Sequence, residues 1–228
     1  IRLLDNIQAP CRVVSGPWAH VYPNLGGPGP KIGFRQLVKG WFDYWLKGVN
    51  NGVMDFPKFL AYIQDSHKPD PSTNDRTGRW IGEKDWPSPY VQTELYSLQP
   101  GSLSKGKIGK GKVTICSPLS LGLTTGEYMP ISGVRELPQD QSIDDSHSVC
   151  FDTPPLKDNL NILGTSRVHL NLSCDKSCGV IAARLCDVGP DGASTLISFG
   201  VLNLKQRQGR EVSAEVSPNE DMDLVVRL

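Results

Sequence analysis

The sequence predicts a two-part fold class, an α/β segment over residues 1–88 followed by an all-β sandwich or jelly roll over residues 89–228. Three observations predict it. The first part reads strand, helix, strand, the order from which α/β sheets are built. The second part holds only short strand-like runs between turn signals, as sandwiches and jelly rolls do. Gly 23 and Pro 18 together make about 18% of the 228 residues, against a usual share of about 12%, while hydrophobic residues make only 38%. Such a chain is rich in turns and strands rather than in bundled helices.

Within the first part, Cys11–Ser15 follows the turn residue Pro10 and reads as a short buried strand. A Gly/Pro-rich loop, Pro23–Pro30, separates it from a helix expected over residues 31 to 47. Phe34, Leu37, Val38, Trp41, Phe42, Trp45 and Leu46 recur three and four residues apart, which places them on one face of a 3.6-residue period. Gly48 and the Asn50-Asn51-Gly52 turn stop that helix. Lys58–Gln64 then reads as a second strand.

In the second part, strand-like runs occur at Thr93–Leu98, Lys112–Cys116, His147–Phe151, Arg167–Leu172, Val180–Cys186, Thr195–Leu202 and Asp223–Leu228. Val168, Leu170 and Leu172 alternate with His169, Asn171 and Ser173, the period of two of a half-buried strand. Pro190-Asp191-Gly192 supplies tight-turn chemistry between two of these runs. Gly101–Lys112, rich in Gly, Lys and Ser, reads as a mobile loop, and its four lysines as solvated charges rather than an anion site. No internal repeat is present.

Charge and cysteine usage narrow the function classes. Lys+Arg 24 balance Asp+Glu 24, a net charge of +0. No basic field collects nucleic acid or an anionic membrane, so neither is expected as a partner. No apolar run approaches the roughly 18 residues of a membrane helix. The six cysteines are too few for a disulfide scaffold. Cys174, Cys178 and Cys186, with His169 nearby, have the spacing C-x3-C-x7-C, which fits no paired zinc pattern. They read as small buried hydrophobes, so no metal and no cofactor is expected; a Cys174–Cys178 disulfide is allowed but not implied. Asn171-Leu172-Ser173 is a formal glycosylation sequon inside an expected strand, so it does not argue for secretion. The sequence assigns no compartment, with the cytoplasm as the default.

Among four histidines, His20 is the catalytic candidate. His169 sits within a strand pattern, His147 precedes one, and His67 lies in a polar turn. His20 follows Ser15-Gly16-Pro17-Trp18-Ala19, just past a buried strand of the α/β part, and functional groups of open α/β sheets gather at the carboxyl ends of strands. No nucleophile accompanies it. No G-x-S-x-G elbow occurs, and Ser132, in Pro130-Ile131-Ser132-Gly133-Val134, lacks the first and last glycines of one. In the Ser, acid, His order of α/β-hydrolases both partners precede the histidine. The one acid before His20 is Asp5, which reads as part of a helix end rather than as the orienting carboxylate.

Several motifs together resemble the X-Pro dipeptidyl-peptidase and cocaine-esterase family of α/β-hydrolases. They are Gly16-Pro17-Trp18-Ala19-His20, the Gly/Pro loop, and the helix ending in Trp45-Leu46-Lys47-Gly48. Val53-Met54-Asp55, Tyr62-Ile63-Gln64-Asp65, Arg79-Trp80 and Asp85-Trp86-Pro87 continue the match. Leu137-Pro138-Gln139-Asp140-Gln141, Asp144-Asp145-Ser146 and Val149-Cys150-Phe151 resemble that family's C-terminal non-catalytic domain, as do Ala183–Gly192 and Gly200–Leu204. The resemblance runs in order along essentially the whole chain.

This resemblance implies the C-terminal end of an α/β-hydrolase sheet over residues 1–88 and a truncated jelly-roll domain over 89–228. It implies a serine hydrolase, a dipeptidyl-peptidase or carboxylic-ester hydrolase, that cleaves ester or X-Pro amide bonds through a Ser-His-Asp triad. His20 stands at the matching histidine position. The serine, the aspartate, the oxyanion donors and a helical cap are expected upstream, so the 228-residue chain by itself is expected to be inactive. A start at Ile1 in what reads as the middle of an element agrees with a fragment incomplete at both ends. The implied partners are a small acyl ester or peptide substrate and the upstream core and cap; homo-oligomerisation stays open. Two other readings stay open as well: a β-sandwich binding module that acts without catalysis, and a family relative that has lost its nucleophile.

Overall fold

A computed structural model describes residues 1–106, 111–127 and 136–228. The segment Pro130–Val134, with Ser132, and the middle of the expected loop Gly101–Lys112 lie outside the described residues. The chain forms two compact units, Ile1–Leu163 and Gly164–Leu228.

The first unit is built on a three-stranded sheet. β1 (Val13–Ser15) pairs in parallel with β2 (Phe59–Gln64), and β2 pairs antiparallel with β3 (Gly78–Glu83). Two parallel neighbours require a crossover connection, usually a helix, and α2 (Phe34–Lys47) lies in that connection. The strand-helix-strand expectation therefore holds, with the helix starting three residues later than the expected residue 31, at Phe34 where the apolar period begins. Gly48, in the left-handed region at φ 68, ends it and returns its N–H to the Asp43 and Tyr44 carbonyls. On β2, Phe59, Ala61 and Ile63 are buried. Phe59, Ala61 and Leu4 of α1 (Arg2–Asn6) form a small core joined by Cys11, Val13, Ile81, Trp86 and Leu163. The rings of Phe59 and Trp86 meet edge to face, 4.9 Å apart.

Three readings need correction in the rest of this unit. β3 has no counterpart in the sequence reading: two glycines in six residues depress strand propensity, yet Gly82 faces Leu60 and Gly78 faces Gln64 at the sheet edge. The segment after Gly101 is a strand rather than a mobile loop in its first part. β4 (Tyr96–Gln99) and β5 (Ser102–Lys105) form a hairpin across Pro100-Gly101, with Gly101 at φ 73 as a tight turn demands. Residues 112–116 and 147–151 carry no strand. Val113 and Ile115 remain exposed. His147 and Ser148 continue the turn of α3 (Ser142–Asp145), their N–H groups donating to the Asp144 and Asp145 carbonyls.

In the second unit two antiparallel pairs form a small β-sandwich. β6 (Arg167–Leu172) pairs with β9 (Met222–Arg227), and β7 (Val180–Val188) pairs with β8 (Ser194–Asn203). The expected alternation is realised residue by residue. Val168, Leu170 and Leu172 of β6 join Met222, Leu224 and Val226 of β9 in a core with Leu204, Val216, Ile181, Ala183 and Leu202, while His169 and Asn171 face outward. The Pro190-Asp191-Gly192 turn is present, with the Gly192 N–H donating to the Gly189 carbonyl at 2.9 Å and Gly192 at φ 82. A bulge opposite Leu185 and Cys186 absorbs the extra residue, Ile197, on β8. The α/β segment and the β-sandwich that the sequence predicts are thus both present, and none of the sheets closes into a barrel. Among the described residues, no helix is long and apolar enough to cross a membrane.

Candidate functional site

His20 lies on the loop that leaves the carboxyl end of β1, five residues past Ser15, and is exposed. The loop is held from several sides. The Trp18 indole N–H donates to the Pro30 carbonyl at 2.8 Å. The Ala19 N–H donates to the Gly27 carbonyl at 3.2 Å, which ties the loop to the Gly/Pro segment. Trp18 also tilts against Trp80 of β3 with ring centroids 6.1 Å apart, and Trp80 packs on Tyr62 of β2 at 5.1 Å. The Tyr62 hydroxyl donates to the Arg76 carbonyl at 2.8 Å. Burial lowers the Arg76 guanidinium from its ordinary pKa. Three aromatic rings on successive elements therefore fix the loop to the sheet, and Trp18 is one of its anchors.

The backbone N–H of His20 donates to the Glu136 carboxylate at 2.5 Å, across 116 residues of sequence. Sequence reasoning missed Glu136, because no local pattern marks a carboxylate whose partner is so distant. Asp5 is engaged elsewhere: its carboxylate accepts from the Trp86 indole N–H at 2.9 Å, which pins α1 to the core. The other histidines stand on other segments of the chain. His169 stands on the outward face of β6 opposite Val225, His147 in the turn after α3, and His67 beside the Asp65 carbonyl at 3.1 Å.

A second polar cluster surrounds Asp144, only 3% exposed. Its carboxylate accepts the N–H groups of Gly122 at 3.1 Å and Thr124 at 3.3 Å, and the Thr124 hydroxyl. Gln141, fully buried, donates to the Thr124 and Gln139 carbonyls, both at 2.8 Å. A buried carboxylate is tolerated where several donors replace its water. This cluster clamps one backbone segment to another, and its groups are spent on each other rather than presented to a ligand.

No group of three His, Cys, Asp or Glu residues among the described residues is arranged to hold a metal ion. Cys174 and Cys178 are both thiols, so this pair is unbridged. Cys174 turns its Sγ toward the Cys178 carbonyl at 3.7 Å and packs on the sandwich core. Of the cysteines, Cys116, Cys150 and Cys178 are exposed. The expectation that Cys174, Cys178 and Cys186 are small buried hydrophobes therefore needs correction at Cys178, which lies outside the strands, while Cys174 and Cys186 are half-buried.

Comparison with known proteins places this geometry. The chain is 24% identical over 193 residues to a putative Xaa-Pro dipeptidyl-peptidase of Bacillus anthracis, covering 82% of this chain and 28% of that protein. It is 25% identical over 233 residues to the cocaine esterase of Rhodococcus sp. (strain MB1 Bresler), covering 91% of this chain and 38% of the esterase. An aminopeptidase from the marine sediment archaeon Thaumarchaeota archaeon shares the fold with a TM-score of 0.67 at 19% identity, over 95% of this chain and 38% of that one. The chain thus spans well under half the length of each of these proteins. Residues 51–228 match the family described as the X-Pro dipeptidyl-peptidase C-terminal non-catalytic domain. With the β-sandwich and the loop after β1 both in place, the chain belongs to the X-Pro dipeptidyl-peptidase and cocaine-esterase family.

Proposed function

We propose that this chain is the back portion of a serine hydrolase of the dipeptidyl-peptidase or acyl-esterase type, with His20 as the general base of a Ser-His-Asp triad. In this reading residues 1–88 complete a catalytic α/β-hydrolase domain and residues 89–228 form the truncated jelly-roll domain. The single observation that carries it is the placement of His20: an exposed imidazole on an anchored loop at the carboxyl end of a strand that runs parallel to its neighbour. That is where α/β sheets collect their functional groups.

The chemistry follows from what imidazole does. As a serine hydroxyl attacks the acyl carbonyl of an ester or X-Pro amide, His20 takes its proton, and a carboxylate holds the ring in the accepting tautomer. The imidazolium then protonates the departing alcohol or amine. In the second half-reaction His20 takes a proton from water, which frees the acid and restores the serine. Donors of the upstream core stabilise the oxyanion, often the largest single contribution in such sites.

α2 supports an additional layer over this unit. Its apolar face buries no residue: Phe42, Trp45 and Leu46 are 52%, 45% and 76% exposed. A face of that length normally packs against another layer.

The test uses the complete protein. His20→Ala is expected to cut ester turnover by roughly four to six orders of magnitude, as removal of a triad member does elsewhere. A fluorophosphonate probe should label a serine outside this chain. A loss under tenfold would remove His20 from the triad. An unlabelled protein would instead favour a non-catalytic relative or a sandwich that serves as a binding module.

A further inference from the structure

Among the described residues, the Glu136 side chain reaches the His20 backbone from the far part of the sequence, and its own position is set by the buried clamp. Asp144 holds Gly122 and Thr124. The Thr124 carbonyl in turn accepts from the Gln139 N–H at 2.9 Å and from the Gln141 side chain at 2.8 Å. Residues 122–126 and 136–141 therefore run side by side, fastened by groups that are almost wholly removed from water. Gly126, at φ 91, completes the contact: a Cβ there would stand 2.4 Å from the Glu136 carbonyl oxygen, so no other residue fits. The half-buried Glu136 projects from this braced segment to accept the His20 N–H at 2.5 Å.

On the other side of His20, the loop hangs from the Trp18–Pro30 and Ala19–Gly27 bonds. Those bonds fix residues 18 and 19, and the Ala19 carbonyl, in the same peptide unit as the His20 N–H, accepts the Val21 N–H at 2.6 Å. The Glu136 carboxylate holds the N–H side of this same peptide, and hydrogen bonds to an ionised acceptor are roughly twice as strong as neutral ones. The imidazole departs from the same Cα, so fixing this peptide fixes where the ring begins.

We propose that Glu136 is a positioning residue for His20, through which the Asp144 clamp in the second part of the sequence sets the aim of the catalytic base. This rests on the reading of His20 as that base. Glu136 touches neither substrate nor reacting atoms in this role; it acts through the backbone. The arrangement explains why a segment from a non-catalytic region approaches the histidine loop at all.

The experiment compares His20→Ala, Glu136→Ala, Glu136→Gln and the double variant His20→Ala/Glu136→Ala in the complete protein, with a p-nitrophenyl ester as substrate. Misplacing a catalytic group by about 1 Å can cost about a hundredfold. Glu136→Ala is therefore expected to lower kcat by roughly 10- to 100-fold with KM within about twofold. Glu136→Gln, whose amide oxygen still accepts the N–H, should recover kcat to within about fivefold of the parent. In the double variant the Glu136 change should add nothing to the His20 loss, since residues acting as a unit are not additive. With 15N-histidine labelling, the His20 amide proton should lie downfield in the parent and move upfield in Glu136→Gln, a signature that a general loss of stability does not produce.

If His20→Ala costs less than tenfold, the triad reading fails first and this inference falls with it. If His20→Ala abolishes turnover while a folded Glu136→Ala keeps kcat within twofold, the triad reading stands and Glu136 has no positioning role. Should Glu136→Ala fail to fold, an unmoved His20 amide signal in Glu136→Gln overturns the proposal in the same way.

Discussion

Two apolar stripes in this chain meet different fates. In the Gly164–Leu228 unit, the alternating residues of β6 and β9 face those of β7 and β8, and Val226 and Val216 end 1% and 2% exposed. Helix α2 carries an equally regular stripe at helical spacing, yet not one of its residues is buried. The outward face of β7 and β8 behaves like α2, with Val180, Ile197, Phe199 and Val201 between 46% and 65% exposed. The difference teaches that periodicity states which face is to be covered and says nothing about what covers it. A sandwich finds its partner within some sixty residues of sequence. A helix flanking an α/β sheet depends on layers that other parts of the protein supply.

Substitutions sharpen this contrast, the largest effects first. Phe59→Ala should cost about 3–5 kcal/mol, because it empties a ring site 2% exposed beneath Trp86. All five tryptophans lie within residues 1–163, so their fluorescence in a urea melt reports this unit. Leu224→Ala, at 4% exposure in the sandwich core, should cost about 2–5 kcal/mol, read by far-UV circular dichroism. A loss under 1 kcal/mol would mean that the two strand pairs are not packed on each other.

Asp144→Ala should cost about 1–3 kcal/mol, since it removes the buried acceptor of the Gly122 and Thr124 N–H groups and of the Thr124 hydroxyl. Amide exchange at those two positions should quicken correspondingly. Leu46→Ala, by contrast, should change the stability of the 228-residue chain by less than about 0.5 kcal/mol. The same substitution in the complete protein should cost several times more. Equal and negligible effects in both would break the contrast, since α2 would then face solvent throughout.

The smallest effect concerns pH. Hydrogen bonds from Lys39 and Lys47 hold the Asp43 carboxyl below its ordinary value of 3.8. A group depressed in the folded state contributes stability above its unfolded value and loses it as pH falls through the folded one. A carboxyl NMR titration should therefore place the Asp43 midpoint below 3.8, and Lys39→Ala/Lys47→Ala should return it toward that value. An unmoved midpoint in the double variant would show that these exposed pairs do not form in solution.

Much of the fold is legible along the chain because its signals are local. Alternation at Val168–Leu172 placed β6, the 3.6 period of Phe34–Leu46 placed α2, and Pro190-Asp191-Gly192 placed the β7–β8 turn. The elements that sequence reading missed lack such signals. β3 is an edge strand carrying Gly78 and Gly82, whose pairing depends on β2 rather than on its own propensity. β5 was hidden by lysine and serine, although Pro100-Gly101 is a turn signal that points to a hairpin. The alternation at Val113 and Ile115 misled for the opposite reason: the pattern is present and no strand pairs with it.

The candidate site divides the same way. His20, the strand before it and the family to which the chain belongs follow from sequence alone, because a strand end, a loop motif and a collinear set of motifs are written in neighbouring residues. The bond from His20 to Glu136, the Asp144 clamp, the engagement of Asp5 by Trp86 and the anchoring of Trp18 on Trp80 were decided by tertiary structure. Each joins residues tens of positions apart, up to 116 for His20 and Glu136. Short-range patterns report the dihedral preferences and burial of one segment. Which carboxylate meets which donor depends on how distant segments are brought together, and no single segment carries that information.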